Sequence, residues 1–158
     1  MELQGLPGRR DADELRRQEL GVKKALAILA LAAGCAGPGG TQDKVVYHFS
    51  EGLAQASNGL RNIGNHLEVN PEARIVVVSH ARGVDFLMKD ARDANGNRYE
   101  TLVEQLKLRG VRFDACEITL RNRKLGKDQF IADATWVPSG VAEVTRLQQR
   151  EGYAYLKP

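Results

Sequence analysis

Apolar positions in residues 44–158 fall into short runs of β-branched and aromatic residues, separated by stretches with a helical period. Lys44-Val45-Val46-Tyr47-His48-Phe49 is such a run, and it suits a strand buried on both faces. Leu53, Ala56, Leu60, Ile63 and Leu67 recur at spacings of three and four, which places them on one face of a helix from about Leu53 to Val69. Asn58-Gly59 weakens the middle of that helix, and Asn70-Pro71 ends it. Arg74 to His80 contains four consecutive aliphatic residues, Ile75 to Val78, and predicts a second buried strand. Ala81-Arg82-Gly83 turns into a short apolar segment, Val84 to Met88. Asp90 to Arg98, with Asn95-Gly96-Asn97 inside it, predicts a surface loop. Tyr99, Leu102, Val103 and Leu106 mark a helix with Gly110 as its C′ residue.

The next stretch changes phase. Val111, Phe113 and Ala115 alternate with Arg112 and Asp114, the period of a half-buried strand, but beyond Cys116 the apolar positions become Ile118 and Leu120. Two continuations fit, a bulge in a longer strand or a strand that stops where a helix starts; the stop is the expectation. It puts Cys116 at the carboxyl end of a strand and the amino end of a helix, where free N–H groups and the helix dipole stabilise a thiolate. Further on, Asp128 to Asp133 suggests one helical turn, and Ala134-Thr135-Trp136-Val137 a fourth strand closed by Pro138. Ser139 is placed to cap a helix carrying Val141, Val144 and Leu147, which Gly152 stops. Tyr153-Ala154-Tyr155-Leu156 is a short last strand, and no internal repeat is visible.

Strands alternate with helices, which predicts an α/β fold whose mainly parallel sheet of about five strands carries helices on both faces. Ligands of such sheets sit outside the carboxyl ends of the strands. Those ends are Phe49-Ser50, Ser79-His80, Ala115-Cys116 and Pro138-Ser139, so topology alone gathers a thiol, an imidazole and two hydroxyls on one edge.

Residues 1–36 follow none of these periods. Met1 to Leu20 is polar; Lys23-Lys24 then precedes an apolar run from Ala25 to Ala33, followed by Gly34 and Cys35. A positive segment, a short apolar segment, small residues and a cysteine have the order of a secretory signal, and the apolar part is too short for a confident membrane span. The pattern resembles a bacterial lipoprotein signal in which Cys35 would be lipidated, although Ala32 stands where leucine is usual three positions before the cysteine. Residues 37–43, rich in glycine at their start, form a linker to a domain at 44–158. Export places the protein in the periplasm, tethered to the membrane where Cys35 is lipidated; without use of the signal it stays in the cytoplasm. The twenty-odd residues before Lys23 are long for a positive segment. A translation start at Val22 accounts for them, and a peptide from residues 2–16 in the native protein would count against it.

With 158 residues and 27 % charged residues the chain has the make-up of an ordinary globular protein with one core. Its net charge of +3 is spread along the chain, with no basic run interleaved with aromatics, which argues against nucleic acid. No phosphate-binding glycine loop follows a strand, no G-x-S-x-G elbow is present, and His48, His66 and His80 lack chelating spacing. Cys35 and Cys116 are the two cysteines. If Cys35 is lipidated or removed, Cys116 is a lone thiol, available for chemistry but not for an internal disulfide. His80 could bond it, relay a proton, hold an anion, or simply satisfy backbone groups. The basic residues Arg121 to Lys127 could steer an anionic sulfur species or be a solvated helix face.

Several stretches resemble the DsrE/DsrF-like family of small sulfur-relay proteins. They are Val45 to His48; Leu60-Arg61-Asn62-Ile63-Gly64-Asn65-His66-Leu67; Ile75 to His80; Phe113-Asp114-Ala115-Cys116-Glu117-Ile118-Thr119-Leu120-Arg121, like the family's F-x-x-C-x-x-T-L-R motif; and the closing Val137 to Val141, Arg146 to Gln148 and Glu151 to Pro158. Together they span about residues 43–158. The resemblance implies a three-layer α/β/α fold, assembly into trimers or hexamers, and a cysteine matching Cys116 that accepts sulfur as a persulfide and passes it on. It implies no cofactor or metal, and partners that are sulfur donors and acceptors, either proteins or small persulfides. Ser50, His80, Arg82, Thr119, Arg121 and Ser139 are the expected pocket residues around a catalytic Cys116. One departure is Ala81-Arg82-Gly83, where the family commonly has Gly-Pro after the histidine; Arg82 puts a cation by the pocket. Three functions stay open: a persulfide carrier, sulfurtransferase-like if it is an enzyme; a non-catalytic ligand-binding or assembly module; and a thiol redox sensor.

Overall fold

The computed structural model describes residues 42–158; the signal, Cys35 and most of the linker lie outside the described residues. The elements are β1 (Lys44–Phe49), α1 (Leu53–Val69), β2 (Arg74–Ser79), a 3-10 segment (Ala81–Leu87), α2 (Tyr99–Leu108), β3 (Arg112–Cys116), α3 (Glu117–Arg123), a 3-10 turn (Lys127–Gln129), β4 (Ala134–Val137), α4 (Gly140–Glu151) and β5 (Ala154–Leu156). The strands lie in the order β4-β3-β2-β1-β5, and every pair is parallel.

That order sets the layers. The connections β1 to β2, β2 to β3 and β3 to β4 all step the same way across the sheet, so right-handed crossovers put their helices on one face. The connection from β4 to β5 returns past the other strands, and the same rule puts α4 on the opposite face. Burial follows the alternation of each strand. Val45, Tyr47, Phe49, Ile75, Val77 and Phe113 share a core with Leu60, Ile63, Leu67, Val103 and Leu106 from α1 and α2. Val46, Val76 and Val78, pointing the other way, pack with Val144 and Leu147 of α4. The result is a three-layer α/β/α sandwich, thick on one side and one helix deep on the other.

Charge fastens α4 as well as apolar contact. Asp114 is fully buried on the α4 face and accepts from Arg112 Nε (3.0 Å) and Nη2 (2.8 Å). Arg112 Nη2 also reaches Glu143 of α4 at 3.0 Å, and Arg146 donates to the same carboxylate at 2.6 Å. Burial pushes the Asp114 carboxyl above its ordinary range while the Arg112 bonds pull it back. A buried carboxylate left unpaired would be costly, so Arg112 must stay, and α4 is held over β3.

The strand does stop at Cys116, as the phase slip predicts, and Gly110 follows α2 with φ of 88°. Two local differences have physical causes. The segment after His80 is a seven-residue 3-10 helix, not a bare turn, because Phe86 must reach the aromatic cluster of Phe49, Tyr99 and Phe113 at centroid distances of 5.4, 6.2 and 6.2 Å. The predicted turn over Asp128 to Asp133 shrinks to Lys127–Gln129, since Phe130 and Ile131 leave it to enter the core. Gly59, a weak residue for a helix interior, is explained by packing: a methyl there would lie 2.2 Å from Phe49 Cζ.

Leu147 is fully buried and belongs to the small core under α4. Leu147→Ala is expected to cost about 2–5 kcal/mol of stability, read as a lower urea midpoint with unchanged slope.

Candidate functional site

Parallel register brings three strand ends level. Ser79 stands opposite Ala115, and Cys116 opposite Val137. His80 follows Ser79, and Ser139 comes two residues after Val137, at the amino end of α4. Cys116 has extended φ and ψ and is the residue before α3, so its side chain lies on the α4 face, where that strand gives way to a helix.

Four donors surround the thiol: the backbone N–H groups of Gly140, Thr119 and Ile118, and the Thr119 hydroxyl. Cys116 is only 4 % exposed. Burial alone would raise its pKa, but these hydrogen bonds outweigh it and hold the thiol below its ordinary range. The Thr119 hydroxyl accepts from the Ala81 N–H at 2.9 Å, which directs its own proton toward sulfur. Ala81 has φ of 49°, an uncommon left-handed conformation for a residue with a Cβ. It is held from both ends, by Thr119 at its N–H and by Arg123 Nη1 at its carbonyl (2.9 Å).

Gly140 lets α4 come this close. A methyl at Gly140 would lie 3.2 Å from His80 Cβ and 3.3 Å from Cys116 Cβ, so any larger residue would push the N–H donor off the sulfur. Ser139, the expected cap, accepts from the Ala142 N–H at 3.3 Å.

A cleft of about 520 Å³ opens beside the thiol. Cys116, His80, Arg82, Thr119 and Ser139, all expected from the sequence, line it. Ser50 and Arg121 do not: Ser50 lies at the β1–α1 turn with its N–H bonded to Gln55 Oε1 (2.7 Å), and Arg121 is on the exposed side of α3. The wall instead includes Asn122 and Arg123 of α3, and the rim carries Ile118 and Val141, 39 % and 62 % exposed. Arg123 lies one helical turn beyond Thr119, and that i, i+4 spacing was the available signal for it. Gly140 carried no such signal, because its role comes from a contact between distant segments.

Two of the four basic residues from Arg121 to Lys127 are paired locally. Arg123 donates to Asp85 Oδ1 at 2.6 Å, and Lys127 to Glu117 Oε1 at 2.6 Å. Arg82 forms no ion pair among the described residues, and its guanidinium lies over the Gly52 turn before α1. No cluster of three or more metal-ligating side chains occurs among the described residues, and no helix there is long and apolar enough to cross a membrane.

A five-stranded parallel α/β/α sandwich with a hydrogen-bonded thiol at its carboxyl edge is thus the class of protein in hand. Residues 29–158 match the model of the DsrE/DsrF-like family, and the chain belongs to that family, which is associated with sulfur relay. Among solved structures it is similar to a protein of unknown function, MTH1491 from Methanobacterium thermoautotrophicum, with 32 % identity and a TM-score of 0.66 over 74 % of this chain and 100 % of that one. It shares its fold with the ychN protein from E. coli, at 14 % identity and a TM-score of 0.60 over 75 % of this chain and 100 % of that one. A comparison with curated proteins returns no match.

Thr119→Val keeps the side-chain volume but removes the hydroxyl from between the Ala81 N–H and Cys116. The Cys116 pKa is expected to rise, and thiolate absorbance followed against pH, or the pH dependence of iodoacetamide alkylation, measures the shift.

Proposed function

We propose that Cys116 is a sulfur carrier: it takes a sulfane sulfur from a donor persulfide or polysulfide, holds it as a cysteine persulfide, and hands it to an acceptor thiol. The observation that carries this reading is the set of four donors aimed at the sulfur beside an open cleft. The attacking species in such an exchange is the thiolate, and those donors favour it. A bound persulfide is itself an anion near neutral pH, so the same donors, with Arg82 nearby, suit the loaded form. The apolar rim of Ile118 and Val141 is available to a partner or to the organic part of a small donor. Residues 1–36, acting as an export signal, would place donor and acceptor outside the cytoplasm.

The 4 % exposure of Cys116 supports a second reading, a binding or assembly module on the same fold with a structural thiol. Intact-mass measurement separates the two. Purified residues 36–158 and the Cys116→Ser variant are incubated with a polysulfide donor and then with an acceptor thiol. The carrier reading expects mass gains of whole sulfur atoms on the cysteine form alone, lost again to the acceptor. No gain on folded protein, with normal alkylation once unfolded, sinks it in favour of the module.

A further inference from the structure

Three polar rings outside the thiol's own shell form a continuous chain. Tyr155 Oη lies 2.7 Å from His48 Nδ1, and His48 Nε2 lies 2.6 Å from His80 Nε2. His80 lines the cleft beside Cys116, and a methyl built on Gly140 would meet the Cβ atoms of both, at 3.2 and 3.3 Å. Tyr155, at the other end, is 41 % exposed on the edge strand β5. The strand register assembles these groups: Tyr155 pairs with Val46, two residues before His48 on the same face, and His48 pairs with Val78, two before His80.

Two nitrogens 2.6 Å apart can share only one proton. When Tyr155 donates to His48 Nδ1, His48 Nε2 carries the hydrogen that points at His80, and His80 Nδ1 holds the other. When every bond reverses, His80 Nε2 donates to His48, His48 Nδ1 donates to Tyr155, and His80 Nδ1 is bare. The two arrangements differ by one proton shifted along the chain. With His80 Nε2 engaged by His48, Nδ1 is the ring nitrogen left to exchange a proton at the cleft.

We infer that Tyr155, His48 and His80 form a proton wire between the Cys116 cleft and solvent, with His80 the exchanging group and His48 and Tyr155 positioning residues. The inference rests on the persulfide reading for the step it serves. Cys116 gives its thiol proton to His80; the thiolate then attacks the outer sulfur of a donor R–S–SH. The Cys116 Sγ–S bond forms, the donor's S–S bond breaks, and its electron pair leaves on RS⁻. His80 passes that proton along His48 and Tyr155 to solvent, and RS⁻ takes a proton from solvent as it leaves. The sum is Cys-SH plus R-S-SH giving Cys-S-SH plus RSH, with no net oxidation. The wire lets His80 reset against solvent between turnovers.

Other charges around the pair are few. Lys157, paired with Glu51 at 2.5 Å, is the cation on the side of β5; Arg82 and Cys116 lie on the cleft side. On β3, Asp114 is neutralised by Arg112, and α4 covers this face with Val144 and Leu147 while its Glu143 and Arg146 bind each other. Burial lowers the pKa of both histidines, His80 and Lys157 lower that of His48 further, and Lys157 lowers that of His80. The pair is therefore neutral and able to accept a proton at neutral pH, and loses that ability only as pH falls through a range below that of an ordinary histidine.

The test uses wild type, Tyr155→Phe and His48→Gln, whose amide can keep a hydrogen bond but cannot relay a proton. Initial rates of sulfur uptake from glutathione persulfide are divided at each pH by the iodoacetamide alkylation rate, which removes the titration of Cys116 itself. In wild type the ratio should fall on the acid side. Both variants should lower it at least about tenfold at neutral pH without changing the half-saturating donor concentration, and should flatten its acid limb. Variants that superimpose on wild type overturn the wire. A parallel ¹⁵N titration of the imidazoles in wild type needs neither a variant nor sulfur transfer. One proton shared by His48 and His80 over the first transition supports the wire, and two rings titrating independently overturn it. Absence of uptake by wild type would remove the persulfide reading alone, leaving the titration to decide the wire.

Discussion

Parallel pairing is the constraint from which this site follows. In an antiparallel sheet neighbouring strands deliver opposite ends to an edge; here Phe49 pairs with Ser79, Ser79 with Ala115, and Cys116 with Val137. Every chain segment therefore leaves the sheet at the same rim, and the residues just beyond it are gathered without any attraction of their own. Side-chain parity then sorts them. Cys116 and His48 share the parity of Asp114, Val46 and Val78, so they face α4 rather than the thick core beneath α1 and α2. A shift of one residue in the β2–β3 register would turn Cys116 into the opposite layer.

The long return of α4 completes what the register begins. A crossover that passes the whole sheet needs an anchor in the middle, and the ion-pair chain from buried Asp114 through Arg112 to Glu143 supplies one two residues before Cys116. The helix start is thereby fixed against the strand end, and Gly140 can bring a backbone N–H to the sulfur. The balance at the thiol is then a matter of number. Desolvation opposes ionisation of a nearly buried sulfur, yet a hydrogen bond to a charged group contributes about 1.5–3 kcal/mol, and four donors converge. Their sum exceeds the burial cost, which is why the net shift is downward. The strained φ of Ala81 is part of the same arrangement, because it aims the N–H that orients the Thr119 hydroxyl.

The sequence displays some of this plainly and conceals the rest for identifiable reasons. Strand and helix periods expose all five strands and the four α-helices, since one-faced burial writes a period into each segment. The slip between Ala115 and Ile118 is local too, and marks the strand end correctly. From the strand ends one can nominate Cys116, His80 and Ser139, and the family resemblance adds Arg82 and Thr119. What could not be read is whatever depends on distance across the fold. Ser50 ends a strand like the others, but its turn is closed by Gln55 and it is not among the residues that line the cleft. Arg121 and Arg123 look alike in a charged run; only the helix phase tells them apart. His48 looks like an incidental polar residue in a buried strand until β5, more than a hundred residues later, sets Tyr155 beside it. Non-local pairs leave no mark in a single sequence.

Charge inside the cleft is also scarcer than the composition suggests. The five basic residues Arg82, Arg121, Arg123, Lys124 and Lys127 suggest a strongly positive mouth, but Arg123 is bound to Asp85 and to the Ala81 carbonyl, and Lys127 is bound to Glu117. Arg123 ties α3 to the turn that presents His80, and Lys127 ties the first residue of α3 to the 3-10 turn that follows it. Arg82 is the cation that both lines the cleft and has no carboxylate partner among the described residues. Anion attraction in the site therefore rests on a single flexible side chain together with fixed backbone N–H groups. An arrangement of that kind stabilises a small localised charge such as a thiolate or a terminal persulfide sulfur, whose contact atom is one sulfur.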